Sequence, residues 1–464
     1  MRVNVQIVIE SADGSPVTIE IACIERGELD AGSLGLHLSE VKSILGGLQR
    51  SMVEAQVAAF IARASACPSC GIALQRKGRH LIVQRTLFGK LKLDNPRLYR
   101  CQCYAGKRCS FSPLAERLPE RASPELQYLE TKFAALMSYG LTVRVLGEIL
   151  PVDKVLAATS IRRHTHRISE RIETSHAKLQ DDVTHIKLPH PAIPAPSAVK
   201  AIGIDGGYVR AYDRKSRQEG WFEVIVGKSQ RDDGAGKCFA YVHRLEPDPS
   251  ARMQRFVNHE GIGADQPVTF LSDGGDTVRQ AQTGFGHLGE YILDWFHISM
   301  RFQNLTQLAK GLEEGEDSPK REDILRNIEG AKWHLWHGSS YRSMKRLESL
   351  TWDVDAMKVG EAKTKLGAKL EECLNYIDSN RAFIVNYGDR FRHGDPIATG
   401  FVESAVNQVV AKRFVKKQQM GWADKSAHCL LQIRTAVLNN ELRQNFERWY
   451  PALAANDAAE QLAA

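Results

Sequence analysis

At 464 residues the chain exceeds one ordinary domain, and 43% hydrophobic with 25% charged content makes it globular rather than disordered. No stretch approaches the roughly 18 consecutive apolar residues of a membrane span, and the opening MRVNVQIVIESADG breaks each apolar run with polar residues, so neither a transmembrane helix nor a secretory signal is expected. The net charge of +7 suits a nucleic-acid partner without requiring one, and the expectation is a cytoplasmic protein of two or three domains.

Residues 1 to 30 alternate as VNVQIVIE and VTIEIACIE around Asp13, Gly14, Ser15 and Pro16, the pattern of a β-hairpin. Five of the nine cysteines then crowd between Cys67 and Cys109, which argues against a disulfide framework and for a metal. Cys67 and Cys70 form the C-x-x-C knuckle CPSCG, and Cys101 and Cys103 follow in YRCQC; four such thiolates suit a structural, tetrahedral Zn²⁺. The second pair departs from C-x-x-C, so Cys109 stands as an alternative to Cys101 or Cys103. Cys23, Cys238, Cys373 and Cys429 read as reduced thiols. Between the pairs, HLIVQRTLFGKLKLDNPRLYRC alternates like strands with five arginines or lysines at polar positions, a basic β-ribbon. Residues 1–120 therefore read as a zinc-ribbon-like β module.

Residues 121–185 turn helical. FAALMSYGLTVRVLGEILP and LAATSIRRHTHRISERIE give two helices parted at Gly140 and a third opened by Ser160, with Arg162, Arg163, His164, His166 and Arg167 making it cationic. A short turn ahead of a basic helix is the pattern of a helix-turn-helix DNA-binding region, so Arg162, Arg163 and Arg167 are expected DNA contacts. His164 and His166 lie two apart, do not face one another, and suit phosphate or solvent better than a metal. Residues 186–199, IKLPHPAIPAPSAV, hold four prolines and read as a semi-rigid linker.

From residue 200 the order is strand (KAIGIDGGYVRAY), strand (GWFEVIVG), strand (KCFAYVHRL), helix (ARMQRFVNH), strand (PVTFLSDG), helix (TVRQAQTGF) and strand (GEYILDWFH). That succession predicts an RNase H-like α/β core over residues 200–304 and 396–450. Asp205 falls on the first strand, Asp273 directly follows the run VTFLS, and Glu403 opens a helix in TGFVESAVNQVVAKRF. Apolar elements that deliver carboxylates to one point suit Mg²⁺ or Mn²⁺, hard cations that take oxygen ligands. Asp276 is assigned to capping the next helix. On the Glu403 helix, Asn407, Val410 and Phe414 are expected on the same face, and Lys412, Arg413, Lys416 and Lys417 are candidate phosphate contacts.

Residues 305–395 are dense in helical pattern and read as an insertion. In REDILRNIEGAKWHLWHG, Ile324, Ile328, Ala331 and Leu335 form one face, so Trp333 and His337 point away from it. Trp333 is a candidate either for packing within the insertion or against a second subunit or for stacking on an unpaired base, and Trp422 admits the same two readings. His334 and His337 share a helix face but have no third ligand nearby. The GKS at Gly227 lacks the glycine of a P-loop, since Phe222 stands five positions earlier, so ATP use is not expected. Residues 451–464 form an alanine-rich tail.

Taken in order, DGGY, LSDGG, DWFH and GFVESAVNQVV resemble the DDE transposases of bacterial insertion sequences, above all the ISKra-like family, along nearly the whole chain. The resemblance implies an RNase H-like core in which Asp205, Asp273 and Glu403 hold two Mg²⁺ or Mn²⁺ ions. It implies a homo-oligomer in the bacterial cytoplasm, associated with the nucleoid. Such an enzyme binds the terminal inverted repeats, cuts there, and joins the freed 3′-hydroxyl to target DNA. Asp294 and His297 in DWFH match an aspartate-x-x-histidine signature of related transposases, with Asp294 a further metal ligand, the residue that orients His297 toward the scissile phosphate, or one side of a purely structural hydrogen bond. A nuclease or resolvase that cuts without joining and an inactive DNA-binding regulator are the alternatives.

Overall fold

The chain is a mixed α/β protein. A computed structural model describes residues 1–10, 15–104, 109–152, 156–185, 199–212, 220–263, 266–312, 321–357, 360–415 and 421–454. They divide into two compact units, Met1–Ile168 with Glu441–Ala464, and Ser169–Asn440. The proline-rich stretch up to residue 198 and the tail from residue 455 lie outside the described residues.

In the first unit, the N-terminal alternation forms β1 (Arg2–Glu10) and β2 (Pro16–Glu25), antiparallel with Arg2 opposite Glu25 and Glu10 opposite Pro16. Asp13 and Gly14 of the expected turn lie outside the described residues. Helix α1 (Leu38–Ala64) follows, and the sequence reading did not anticipate it. None of its residues is fully buried, and Gly46 and Gly47 interrupt its middle, so it shows no clean apolar stripe. Gly47 has a packing role: a Cβ there would press on the Ile21 side chain, so its absence lets the helix cross β2. β3 (Arg76–Thr86) and β4 (Gly89–Tyr99) pair antiparallel as the expected ribbon, and β5 (Ser110–Phe111) extends its edge. Ile82, Leu91 and Leu93 bury one side of the ribbon against α1 and α2 (Pro113–Arg117), while Arg79, Lys90, Lys92 and Arg97 stay exposed.

α3 (Pro124–Leu136), α4 (Tyr139–Ile149) and α5 (Ala158–His185) supply the helical region. The first two part at Met137–Ser138 rather than at Gly140. The Ser138 hydroxyl accepts from the Leu141 amide at 3.2 Å, a bond that glycine cannot provide, and Gly140 sits inside the first turn of α4. The third helix begins at Ala158 rather than Ser160, and the division between the two units falls within it.

The second unit contains the expected succession: β6 (Val199–Arg210), β7 (Trp221–Arg231), β8 (Cys238–Val242), α6 (Pro249–His259), β9 (Val268–Ser272), α7 (Asp276–Gln282) and β10 (Gly289–Leu293). The strands form one mixed sheet in the order β10-β9-β6-β7-β8, with β10, β9 and β6 parallel and β7 and β8 antiparallel. Alternation sorts β6. Ile202 and Ile204 enter a core with Phe239, Tyr241, Met253, Phe270 and Val278, whereas Ala201, Gly203, Asp205 and Gly207 face the other side.

After β10 come α8 (Trp295–Lys310), α9 (Arg321–Trp336), α10 (Ser340–Asp355), α11 (Glu361–Asn380) and α12 (Tyr387–His393). Ile324, Ile328, Ala331 and Leu335 are buried as predicted, in one core with Phe302, Leu347, Leu350, Leu366 and Leu370. α13 (Gly400–Val406) returns to the sheet, Asn407–Val415 continues as a π-helix, and α14 (Asp424–Leu438) is buried on nearly every side. The wider i→i+5 winding corrects one expectation: Val409, Val410, Arg413 and Phe414 turn inward, but Asn407 is exposed and does not share their face. The buried Arg434 guanidinium donates to the Gln408 and Val409 carbonyls at 3.0 and 2.8 Å, supplying partners along this rewound stretch. α15 (Leu442–Trp449) belongs to the first unit, where Phe446 packs edge-on against Tyr128. No helix among the described residues is long and apolar enough to cross a membrane.

Candidate metal sites

The second unit brings its acids together from neighbouring elements, Asp205 from the middle of β6 and Asp273 from the residue after β9. β6 and β9 align Ile202 with Phe270 and Gly203 with Leu271, and the same register carried forward sets Asp273 level with Asp205. Asp205 accepts the Gly206 amide at 2.7 Å, and Asp273 accepts the Gly275 amide at 2.9 Å. β10 brings the start of α8, and with it His297, alongside. One ligand atom each from Asp205, Asp273 and His297 lie within 4.8 Å of one another. Glu403 falls outside that group but close enough to act on it. Burial above all, then the charges of Asp273 and Glu403, push the Asp205 carboxyl up to about 6, against the pull of the Gly206 amide and His297. Among the described residues no lysine or arginine pairs with Asp205, Asp273 or Glu403. Half-buried carboxylates that repel one another without a cationic side chain fit a divalent cation, and their oxygens suit Mg²⁺ or Mn²⁺, with an imidazole nitrogen better matched to Mn²⁺.

Glycine explains why Glu403 approaches at all. Gly203 and Gly207 lie two residues either side of Asp205, on its face of β6. A Cβ on Gly203 would overlap Val402 and Phe401, and one on Gly207 would stand 3.2 Å from Val406. Their bare backbone therefore lets α13 lie directly over the Asp205 strand.

Asp294 holds the site together without joining the group. It is fully buried, and both its oxygens are in use. Oδ1 accepts from the Phe296 amide at 2.8 Å, capping α8, and from the Thr399 amide at 3.2 Å; Oδ2 accepts from His297 Nδ1 at 2.8 Å and from the Thr399 hydroxyl. That leaves His297 Nε2 as its available ring nitrogen, and the bond to Asp294 raises the imidazole's affinity for a proton. Thr399 in turn starts α13, its carbonyl accepting the Val402 and Glu403 amides at 2.7 and 3.0 Å. Among the roles expected for Asp294, its bond to His297 and its absence from the ligand group count against a metal ligand. Two tyrosines from the inserted helices brace the same strand ends: Tyr376 donates to the Asp273 carbonyl at 3.0 Å, and Tyr387 to the Leu293 carbonyl at 2.7 Å. No short-range signal marked Thr399, Tyr376 or Tyr387, which join the site from 94 to 105 residues away. Asp276 is the first residue of α7 rather than its cap, a place taken by Gly275.

In the first unit, Cys67, Cys70, Cys101 and Cys103 bring their sulfurs within 4.8 Å of one another, and Cys109 is not among them. Cys70 and Cys101 stand 3.6 Å apart, Cys101 and Cys103 3.8 Å. Four sulfurs at about 2.3 Å from a tetrahedral Zn²⁺ stand about 3.8 Å from each other, so the donor set and spacing fit zinc. Gly71 adopts a left-handed φ of 75° and donates its amide to the Cys67 carbonyl at 2.8 Å, closing the knuckle. The amides of Cys70 and Ser69 lower the Cys67 thiol to about 7, while the neighbouring Cys70 and Cys101 push Cys103 up to about 12. Crowded thiols that compete to ionise are what a bound cation would relieve.

The remaining candidates scatter. Arg162 and Arg163 are exposed on α5, but Arg167 is half-buried and donates to Gln127 at 3.2 Å, and His164 pairs with the buried Glu130. Lys412 is exposed. Arg413 is only 4% exposed and lies over the Trp422 ring, so packing has claimed the cation expected to meet phosphate. Trp422 itself is buried against Phe414, which removes it as a base-stacking surface. Lys416 and Lys417 lie outside the described residues. Trp333 is 54% exposed, stacked on His337. Compared with protein-family models and with curated proteins, the chain matches none.

Proposed function

We propose that this protein is a DNA transposase of the DDE type, with its chemistry in the second unit and a zinc-bound DNA-reading region in the first. The observation that carries the reading is the Asp205–Asp273–His297 group with Glu403 beside it, set between the middle of β6 and the end of β9 under a helix that two glycines admit. The sheet order β10-β9-β6-β7-β8, built along the chain from three antiparallel strands (β6 to β8) and then two that join parallel to β6 (β9 and β10), supports an RNase H-like core. Asp205, Asp273 and Glu403 would hold Mg²⁺ or Mn²⁺, which activates an oxygen nucleophile and stabilises the leaving oxygen of a phosphodiester. The chain's own residues arrange this. Asp294 holds His297 through Nδ1 and leaves Nε2 available, to bind metal or to donate to a non-bridging phosphate oxygen, and Thr399 couples Asp294 to the helix of Glu403.

In the first unit, α3 to α5 supply a helix-turn-helix whose exposed Arg162 and Arg163 approach the terminal repeats, alongside the basic β3–β4 ribbon. Joining two ends makes a homo-oligomer on DNA the working form, in the bacterial cytoplasm.

The test incubates purified protein and Mn²⁺ with a labelled duplex of the inverted repeats flanking its gene, beside Asp205→Asn. Joined products from the wild type only are expected. Cleavage without joining would make the protein a nuclease, and repeat binding without cleavage a regulator; full activity in Asp205→Asn would dismiss the site.

A further inference from the structure

Directly beyond Asp294 the chain builds a second feature that the acid site does not use. A groove of about 620 Å³ runs between α8 and α9 within the second unit, inside the ~300–1,000 Å³ typical of ligand sites. Three tryptophans line it. Trp295 and Trp336 meet edge to face at 4.9 Å, and Trp333 stands edge-on to Trp336 at 6.3 Å, stacked on the His337 ring and with more than half of its surface exposed. The rim is cationic. Lys332 lies 6.0 Å over the Trp295 ring and Lys310 is exposed opposite; neither forms an ion pair among the described residues, and Glu329 is the groove's one acid. Gln303 adds an exposed amide that can meet a base edge. His334, near the end of α9, is held below the usual imidazole range by its burial and then by the charges of Arg346, Arg342 and His337.

A large aromatic exposed beside unpaired lysines is a costly surface for a helix that needs only an apolar inner face, which α9 already has in Ile324, Ile328, Ala331 and Leu335. Stacking rings with cations between them match one ligand chemistry well: unpaired nucleobases on a phosphate backbone. A duplex offers no open base faces and would meet only the lysines.

We propose that the α8–α9 groove binds a short single-stranded stretch of DNA, with one base on Trp333 and the backbone along Lys310 and Lys332. The proposal rests on the reading of the protein as a DNA-processing enzyme and deepens it. Trp295 follows Asp294 in sequence, so the groove begins one residue from the Asp294–His297 pair, and a strand opened at the acids has its unpaired bases received beside them.

The experiment titrates the zinc-loaded full chain, in buffer without added Mg²⁺ or Mn²⁺ and without chelator, with a twenty-nucleotide oligothymidylate and with a duplex of equal length, following tryptophan fluorescence. The wild type should bind the single strand with quenching. Trp333→Ala should bind it about tenfold or more weakly, Trp333→Phe should retain most of the affinity, and Lys332→Gln should reduce the salt dependence. Equal affinity in wild type and Trp333→Ala, or quenching by duplex alone, would overturn the proposal. So would a concentration-dependent dimer that Trp333→Ala abolishes, which would give the groove to a second copy of the chain. Metal-dependent cleavage, measured separately, keeps the two readings apart. Cleavage with no single-strand binding removes the groove alone, and single-strand binding with no cleavage removes the enzyme alone.

Discussion

The two candidate metal sites differ in how far the chain travels to build them. The four thiols come from Cys67, Cys70, Cys101 and Cys103, two short turns at the foot of one hairpin, and three of the four remain at least partly exposed. The acid group draws on Asp205, Asp273 and His297, from three different elements, and depends on Asp294, Thr399 and Tyr376 to hold it. A local site needs little fold and gains its stability from the ion, whereas a dispersed site needs the whole fold first and suffers from its own charge until an ion arrives. Removing metal should therefore loosen the first unit and leave the second folded.

The sharpest way to break that contrast is to strip zinc. Structural Zn²⁺ sites are worth on the order of 10 kcal/mol, so Cys67→Ser or strong chelation should release one zinc per chain and increase amide exchange in Cys67–Cys103, with Ser169–Asn440 unaffected. Metal analysis that finds no zinc would end the proposal.

Next in size is Asp205→Asn. It should lower strand cleavage by about 10³-fold or more, equivalent to about 4 kcal/mol. In EDTA the same change should stabilise the second unit by about 1–2 kcal/mol at pH 7.5, a figure discounted for partial exposure, because an amide does not suffer the burial that raises Asp205 to about 6. A metal-free variant less stable than wild type would show that the carboxylate is structural.

The pH dependence follows from the same shift. A carboxyl raised from 3.8 to about 6 contributes stability that is fully present below about pH 4 and is lost as the pH rises through 6. Metal-free protein should therefore melt lower at pH 7.5 than at pH 5 through this group. Mn²⁺ should raise the melting temperature more at pH 7.5 than at pH 5, where protons compete for the carboxylate. A Mn²⁺ effect independent of pH would place the ion elsewhere.

What could be read in the chain tracks this contrast. The CPSCG and YRCQC turns announce their chemistry at short range, and the run VTFLS followed by Asp273 locates a strand-end acid because its apolar residues have one stable place, inside a sheet. Gly203 and Gly207 were visible as letters, but their use required knowing that α13 lies over β6. Helix α1 escaped because its apolar residues do not form one stripe. Arg413 was misjudged for a related reason: a rewound helix turns inward residues that 3.6-residue spacing leaves outside. Asp294 could be named from DWFH, yet its partner Thr399 lies 105 residues on, and no pattern of spacing encodes that bond.

The smallest prediction probes the brace across that sequence distance. Tyr376 gives its hydroxyl to the Asp273 carbonyl and keeps its ring beneath Arg301, whose guanidinium lies 3.9 Å from the ring centre and pairs with Glu372. Tyr376→Phe removes the hydroxyl and keeps the stack, so the cost should be about 1 kcal/mol. If the bond serves the acid group, that cost appears as Mn²⁺ affinity about fivefold weaker, since the Asp273 backbone gains freedom that metal binding must then remove. If the inserted helices merely pack on the sheet, the melting temperature falls by the same free energy while Mn²⁺ affinity stays unchanged. Calorimetric titration beside thermal melting separates the two, and only the first outcome makes the insertion part of the site rather than its neighbour.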